Sequence, residues 1–260
     1  MIETWMYKIN PTLKLIGMIL LFVAILMIHN INVLLNLTIL VCMIFFAFNG
    51  FPMKLVFLFL LPFILVFIST STSMILFGLG DTTWVKWGLV HITEESFFRG
   101  VHIGLRALVF GFIGLLFSLT TKPVLLFYSL MQQAKLSPKY AYSFLAGYRL
   151  LPIMFEEFQV VHGALKVRGV HRKKGLSSIP SKLKAYSIPL LSQSIRRAFR
   201  IGVAMEAKRF SSSQSRTFYY RVGFSRMDTY FVLLLILLIA ASYGLGNYFP
   251  YFSIQDVRYQ

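Results

Sequence analysis

The sequence is poor in cysteine and in acidic residues. Its single cysteine, Cys42, lies in an apolar run, which excludes an intrachain disulfide and a metal site built from several thiolates. Only 9 Asp and Glu stand against 26 Lys and Arg, which gives a net charge of +17. The nucleotide-binding pattern GxxxxGK[ST] is absent, so we do not predict that the chain hydrolyses ATP itself. No small-residue cleavage site follows the first apolar run, which we therefore interpret as a membrane helix rather than a signal peptide.

Apolar residues dominate the composition. They make up 57% of the chain against 13% charged residues, and the mean hydropathy is +0.70. A helix needs about 20 mostly apolar residues to cross a bilayer. Five stretches approach this length, and we predict that they are membrane helices: Leu13–Ile28, Ile31–Phe48, Leu55–Leu79, Val101–Leu119 and Thr229–Gly246.

The positive charge is concentrated between the fourth and fifth stretches. Residues 122–226 contain 19 of the 26 Lys and Arg but only three acids, Glu156, Glu157 and Glu206. Clustered Lys and Arg beside membrane spans favour the cytoplasmic side. Counting back from this segment, we expect the N-terminus and the 49–54 turn inside and the 80–98 loop outside. Five spans then place the C-terminal tail outside.

The expected fold is an all-α polytopic membrane protein of about five membrane helices with a helical cytoplasmic domain. We divide it into a membrane domain (1–121), a basic cytoplasmic domain (122–226) and a last span with its tail (227–260). Proline and capping signals predict four helices in the basic domain. These begin at Pro123, at Ser137-Pro138, at Pro152 and at Pro189; the third ends at Gly169, the fourth reaches about Phe210, and 171–182 is a loop.

Apolar residues recur at helical spacing on the last two of these predicted helices. Such stripes can pack on one another, on the membrane surface or in a partner's groove. The first stripe is Met154, Phe158, Val161 and Leu165, and the second is Leu191, Ile195, Ala198, Phe199, Gly202 and Met205.

The same two helices end in similar basic sequences. Residues 164–169 read Ala-Leu-Lys-Val-Arg-Gly and residues 204–210 read Ala-Met-Glu-Ala-Lys-Arg-Phe. The helix dipole alone favours a cation in a last turn, by about 0.3–1 kcal/mol. Two such endings also suit the presentation of cations to acidic grooves of another protein, and a guanidinium binds carboxylates bidentately.

These residues resemble the transmembrane T component (EcfT/CbiQ-like) of energy-coupling factor transporters, which are importers of vitamins, nickel and cobalt. The resemblance includes the two endings and runs in order through most of the chain. Its other motifs are Asn10-Pro-Thr-Leu-Lys-Leu15, Gly104-Leu-Arg-Ala107, Thr120-Thr-Lys-Pro123, Arg149-Leu-Leu-Pro-Ile153 with Glu156, and Arg197-Ala198. The resemblance implies a non-enzymatic coupling subunit without a cofactor, which works with two ABC-type ATPase subunits and a small membrane-embedded substrate-binding subunit.

The resemblance also implies which residues couple to the ATPases. The family's first Ala-Arg-Gly-like motif falls on Val167-Arg168-Gly169. In its second motif this chain has Lys208 in place of Arg and Arg209 in place of Gly, and the bidentate fork of arginine favours Arg209 as the coupling cation. The supporting residues implied on the coupling helices are Pro152, Glu156, Ala164, Arg197, Glu206 and Phe210.

A second motif predicts a different function. Glu94-Glu95-Ser-Phe-Phe-Arg99 resembles the first motif of the CAAX-protease family, and Phe158 with His162 matches its second. Paired glutamates with a histidine can activate water for peptide hydrolysis. Against this, the family's HxxxN pattern is missing, and the same residues fit a helix start with Thr93 as N-cap and a Glu at the third position. We keep an intramembrane peptidase using Glu94 and Glu95 as the alternative.

Other candidate sites are weaker. The five histidines lack the spacing of a metal-ligand set, so no metal site is expected. Arg106 in the fourth stretch either extends towards the membrane surface or packs against another span or partner. Aromatic residues in the basic domain do not alternate with cations, so nucleic acid is not expected as a partner. The basic run at 171–174 is expected to be a solvated loop facing anionic lipid.

Overall fold

The computed structural model describes residues 4–48, 50–78, 80, 82–87, 90–169, 179–210 and 217–252, without the side chains of 85–87, 90 and 91. The chain is helical almost throughout this part, which confirms the predicted fold class. A short 3-10 helix, Trp5–Lys8, precedes eight α-helices and one hairpin. In chain order the elements are α1 (Pro11–Met27), α2 (Ile31–Phe48), α3 (Met53–Phe77), β1 (Thr83–Trp87), β2 (Val90–Thr93), α4 (Glu94–Thr120), α5 (Pro123–Gln133), α6 (Pro138–Val167), α7 (Ile179–Ala207) and α8 (Arg226–Tyr248).

The chain divides into two compact units. The first combines Met1–Ser129 with Arg221–Gln260, and the second is Leu130–Tyr220. The first unit contains every predicted membrane stretch, and the second contains α6 and α7. The placement of segments 1–121, 122–226 and 227–260 relative to a membrane stays a prediction.

Four helices of the described chain are long and apolar enough to cross a bilayer: α2, α3, α4 and α8. The first predicted stretch forms α1, which is apolar but has only 17 residues. At 1.5 Å per residue α1 is about 25 Å long, near the lower limit for a membrane span. The chain is therefore a polytopic membrane protein, with α1 the shortest of its five apolar helices.

The core of the first unit lies where α2, α4 and α8 meet. Leu37 and Phe45 of α2, Ile113 of α4 and Phe231 of α8 are all at most 2% exposed. The rings of Phe45 and Phe112 are 5.4 Å apart, which suits a tilted aromatic pair. By contrast, α3 buries few of its side chains within the chain.

Helices α3 and α4 approach closely along a line of glycines on α4. A Cβ at Gly100 would lie 2.9 Å from the Ser71 carbonyl oxygen, and one at Gly104 would lie 2.8 Å from the ring of Phe67. Small residues let membrane helices approach until their backbones nearly touch, so that van der Waals packing and not charge holds the pair together.

The β-hairpin between α3 and α4 was not predicted. Strands β1 and β2 pair antiparallel and are separated by only two residues. Thr93 is the N-cap of α4, as predicted, and its side chain accepts a hydrogen bond from the Ser96 amide. The predicted Glu at the third helical position is wrong: Ser96 occupies it and completes the capping box.

Two predicted helix starts in the second unit are also wrong. Pro152 and Pro189 lie inside α6 and α7, which run 30 and 29 residues without a break. An interior proline removes one backbone hydrogen bond and bends a helix, but long flanking turns can sustain the helix across it. Residues 179–182 of the predicted loop belong to α7, whereas 171–178 lie outside the described residues. The predicted starts at Pro123 and Pro138 and the end at Gly169 are confirmed.

Candidate functional site

Helix α6 ends in a glycine turn that leaves one arginine exposed. Val167 is the last helical residue and Arg168 is the C-cap. The Gly169 amide donates to the Lys166 carbonyl over 3.1 Å, and Gly169 has φ +72°, in the left-handed region that favours glycine. Val167 is 89% exposed and Arg168 is exposed beside it, so the cation lies at the tip of the helix.

Helix α7 ends in the same way without a glycine. The Arg209 amide donates to the Glu206 carbonyl over 2.8 Å, and the Phe210 amide donates to the Met205 carbonyl over 2.9 Å. These are the two hydrogen bonds of a Schellman motif. Arg209 has φ +54°. Lys208 therefore occupies the C-cap position that Arg168 has in α6, and Arg209 occupies the position of Gly169.

The α7 tip is held by an aromatic contact. Phe210 is partly buried and its ring meets Tyr142 edge-on, with centroids 5.7 Å apart. Lys208 and Arg209 are exposed next to it. Tyr142 lies on α6, so the second cationic tip is fixed against the first turns of that helix. Tyr142 was not predicted, since nothing in its local sequence marks it as a partner of Phe210.

One ion pair joins α6 and α7 in the described part of the chain. Arg197 bonds Glu157, and the other carboxylate oxygen of Glu157 is buried without a hydrogen-bond partner. Glu156, which the resemblance implied, is exposed one residue earlier. Glu157 was not predicted, because the sequence does not show which of the adjacent residues Glu156 and Glu157 faces α7. Of the other implied residues, Pro152, Ala164 and Glu206 are exposed along the helices.

The two apolar stripes differ in their surroundings. The α6 stripe packs within the unit: Phe158 stacks on Tyr186 with centroids 5.3 Å apart, and Leu165 is 8% exposed. On α7, Leu191, Ile195 and Phe199 are 60%, 68% and 72% exposed. The α7 stripe therefore forms an uncovered apolar face within the second unit.

Glu95 of the alternative motif is held by hydrogen bonds at the start of α4. Glu95 accepts hydrogen bonds from the Thr82 hydroxyl at 2.7 Å and the Thr82 amide at 3.2 Å. These bonds tie the segment before the hairpin to the first turn of α4. His162 contacts Tyr186 in the second unit, with 2.8 Å between Nδ1 and the hydroxyl oxygen. Among the described residues no three His, Cys, Asp or Glu are grouped so that they could hold a metal ion.

Arg106 joins α4 to the connection between α1 and α2. Its guanidinium donates to the carbonyl of Ile28, the C-cap residue of α1, over 2.9 Å. A cation that binds the last carbonyls of a helix stabilises its C-terminal end. Of the two alternatives for Arg106, the contact supports packing against another span.

Within the described residues, five apolar helices and a basic helical unit with two exposed cationic ends define a membrane-embedded protein. Comparison with known families agrees, because residues 3–220 match the sequence model of the family described as cobalt transport protein, CbiQ. The chain belongs to this CbiQ/EcfT family of membrane proteins.

Curated relatives extend the similarity over nearly the whole chain, and each is named energy-coupling factor transporter transmembrane protein EcfT. The Macrococcus caseolyticus protein is 25% identical over 247 residues, covering 90% of this chain and 91% of the relative. The Thermotoga maritima protein is 27% identical over 265 residues, covering 97% and 95%. The Streptococcus equi protein is 26% identical over 252 residues, covering 89% of each.

Proposed function

We propose that this chain is the transmembrane coupling subunit of an ATP-driven energy-coupling factor importer. Its second unit lies in the cytoplasm, and its two cationic tips bind acidic grooves on two ABC-type ATPase subunits. The observation that carries the proposal is the matched pair of helix ends, which expose Arg168 and Lys208 at the same C-cap position. The names of the relatives support the same assignment.

Lys208, rather than Arg209, is the second coupling cation in this proposal. Position in the Schellman motif supports it, since Lys208 matches Arg168 and the backbone of Arg209 matches that of Gly169. An ammonium binds a carboxylate as a compact point charge without the bidentate fork of a guanidinium. The second contact is then less dependent on geometry than the first, and more dependent on the density of negative charge in the groove.

The exposed apolar face of α7 is proposed to contact the substrate-binding membrane subunit. Leu191, Ile195 and Phe199 are all more than half exposed, and large apolar patches on a protein surface mark interaction sites. When ATP binding closes the ATPase subunits, the tips move with them. The paired helices carry that motion to the binding subunit, which reorients and releases a vitamin or a transition-metal ion.

Rigidity of the helix pair is a condition of this mechanism, because coupling between distant sites needs an element whose state both sites bias. The Glu157–Arg197 pair and the Phe158–Tyr186 stack join α6 to α7 along their length. Because these contacts already hold α6 against α7 before ATP binds, less of the ATPase motion is absorbed by movement of one helix relative to the other.

The test is the removal of one tip cation. Arg168→Ala is expected to weaken ATPase association by roughly 30-fold or more, since truncating one partner of a buried interfacial charge pair costs about 2–5 kcal/mol. Association is measured by co-purification of the ATPase subunits with the full-length chain from membranes, and transport by uptake of the complex's substrate.

Arg196→Ala is the matched control. It removes the same charge from an exposed side chain in the middle of α7. In the part of the chain that the structure describes, the Arg196 guanidinium bonds only Ser192 of its own helix. Equal recovery of ATPase subunits and equal uptake in the Arg168 and Arg196 variants would contradict the proposal.

A further inference from the structure

A buried polar cluster lies where the chain leaves and re-enters the first unit. The first unit ends its N-terminal part at Ser129 and resumes at Arg221. Asn10, Thr12, Ser129 and Asp228 meet between these connections, and each is at most 4% exposed. We name them the junction cluster. None of the four belongs to the coupling tips or to the exposed face of α7.

Asn10 contacts both connections to the second unit. Its side-chain oxygen accepts from the Ser129 hydroxyl over 2.8 Å and from the Thr12 amide over 3.1 Å. Its side-chain amide donates to the Gly223 carbonyl over 3.3 Å. The Thr12 and Ser129 hydroxyls are also hydrogen-bonded to each other. One asparagine at the start of α1 therefore holds α5 on one side and the segment before α8 on the other.

Asp228 completes the cluster with two backbone contacts. One carboxylate oxygen accepts from the Asn10 amide and the other from the Ser225 amide, each over 2.7 Å. Asp228 lies in the first turn of α8, where the helix dipole favours a negative charge. Because each oxygen receives a backbone N–H, an asparagine at this position cannot satisfy both donors.

Lys14 extends the same arrangement one turn further along α1. Lys14 is 1% exposed, and its ammonium donates to the Met6 carbonyl at 2.6 Å and to the carbonyl and hydroxyl of Thr120 at 3.1 Å. The start of α1 is thereby joined to the end of α4, directly before α5. Partly satisfied polar groups are costly inside a protein, whereas a fully satisfied network specifies one geometry.

We propose that the junction cluster is the fixed base of the coupling unit, and that Asn10, Ser129 and Asp228 are positioning residues for energy coupling. By holding both connections of residues 130–220 at one point, the cluster prevents motion imposed on the cationic tips from being absorbed in the connections. The inference rests on the proposed function, since it needs ATPase-driven motion to transmit.

The test uses the complete transporter, purified with its ATPase and substrate-binding subunits and reconstituted in liposomes. Asp228→Asn and Ser129→Ala are compared with Ser242→Ala. Ser242 is a buried serine of α8, and among the described residues its hydroxyl bonds only the Ile239 carbonyl of its own helix. Subunit recovery, ATP hydrolysis and substrate uptake are measured on the same preparations.

The expected result is unchanged recovery and retained ATP hydrolysis in both junction variants, with uptake per ATP hydrolysed lower by roughly tenfold, the scale of mutations that alter coupling between distant sites. Ser242→Ala keeps the full ratio. An unchanged ratio in Asp228→Asn and Ser129→Ala overturns the inference. So does a loss of uptake that only follows a loss of assembled complex, because the cluster would then serve folding alone.

Arg168→Ala in the same preparation separates this inference from the proposed function. If Arg168→Ala keeps its ATPase subunits and its uptake, the coupling role itself fails. If Arg168→Ala loses them while the junction variants behave as the wild type, only the role of the junction cluster fails.

Discussion

At the scale of single residues, the α7 tip places a non-glycine residue, Arg209, in a backbone conformation that favours glycine. Arg209 has φ +54°, a conformation that costs a non-glycine residue about 1–2 kcal/mol. The Schellman hydrogen bonds and the contact of Phe210 with Tyr142 offset that cost. This conformation allows the roles of Lys208 and Arg209 to be tested separately. Glycine at position 209 suits the positive φ and removes only the charge of Arg209.

We predict that Lys208→Ala reduces ATPase association and uptake, whereas Arg209→Gly leaves both unchanged. Lys208 is at the C-cap position of the coupling cation, and Arg209→Gly restores the residue type suited to a positive φ. Co-purification of the ATPase subunits and substrate uptake measure the two effects. A loss in Arg209→Gly as large as that in Lys208→Ala would assign the contact to Arg209 instead.

Some residue-level features could be predicted and others could not. Thr93 as N-cap and Gly169 as helix end follow from local backbone chemistry, and both predictions are confirmed. The partner of Arg197 could not be predicted, because Glu156 and Glu157 differ only in the side of α6 on which they lie. The capping pattern Ser225-x-x-Asp228 at the start of α8 is a local signal that the sequence alone contains.

At the scale of elements, Pro152 and Pro189 show that local sequence alone does not predict where α6 and α7 begin. Proline is favoured at the first position of a helix and costs about 3 kcal/mol inside one. Sequence reasoning therefore placed helix starts at Pro152 and Pro189. In the structure both helices continue across their prolines, and contacts of α6 with α7 and the α7 tip lie on each side of them: Tyr142–Phe210 and Met154–Ser194 flank Pro152, and Phe158–Tyr186 and Met154–Ser194 flank Pro189. The contacts that offset the proline cost come from another helix, so they leave no mark in the local sequence.

The contact of α3 with α4 gives a prediction about packing. Gly100→Ala places a methyl group 2.9 Å from the backbone oxygen of Ser71, which cannot move aside as a side chain can. Overpacking of this kind costs about 1–3 kcal/mol. We expect the Gly100→Ala protein to lose its monodisperse peak in size-exclusion chromatography at a lower heating temperature than the wild type.

Gly114→Ala is the control on the same helix, because nothing lies within 4 Å of a Cβ at that position. It is expected to match or slightly exceed the wild type, since alanine has the higher helix propensity. Equal heat tolerance of the two variants would show that α3 and α4 are not held by close backbone approach.

At the scale of the whole molecule, the side of the membrane on which the N-terminus lies depends on the shortest helix. Helix α1 is 17 residues long, whereas α2, α3, α4 and α8 meet the length and hydropathy of a span. Five spans place the ends of the chain on opposite sides, and four place them on the same side. The concentration of Lys and Arg in residues 122–226 orients the molecule in either case.

We predict that residues 82 and 251 are outside and residue 139 is inside. The single native cysteine makes the measurement simple, because Cys42→Ser gives a background without thiols. Thr82→Cys and Tyr251→Cys are expected to react with a membrane-impermeant maleimide in intact cells, and Lys139→Cys only after permeabilisation; all three positions are exposed or partly exposed in the structure. Protection of position 251 with labelling of position 82 would contradict this topology, because α4 and α8 could not then both cross the membrane.

Composition and periodicity by themselves determined the membrane class, the helical fold, the basic segment and the two cationic endings, because hydropathy and charge act through local sequence. Tertiary structure alone decided that the helices run across Pro152 and Pro189, that Glu157 pairs with Arg197, and that Asn10 joins both connections of the second unit. Each of these depends on residues far apart in the chain that approach only after folding, where the gain from packing and satisfied hydrogen bonds outweighs a local preference.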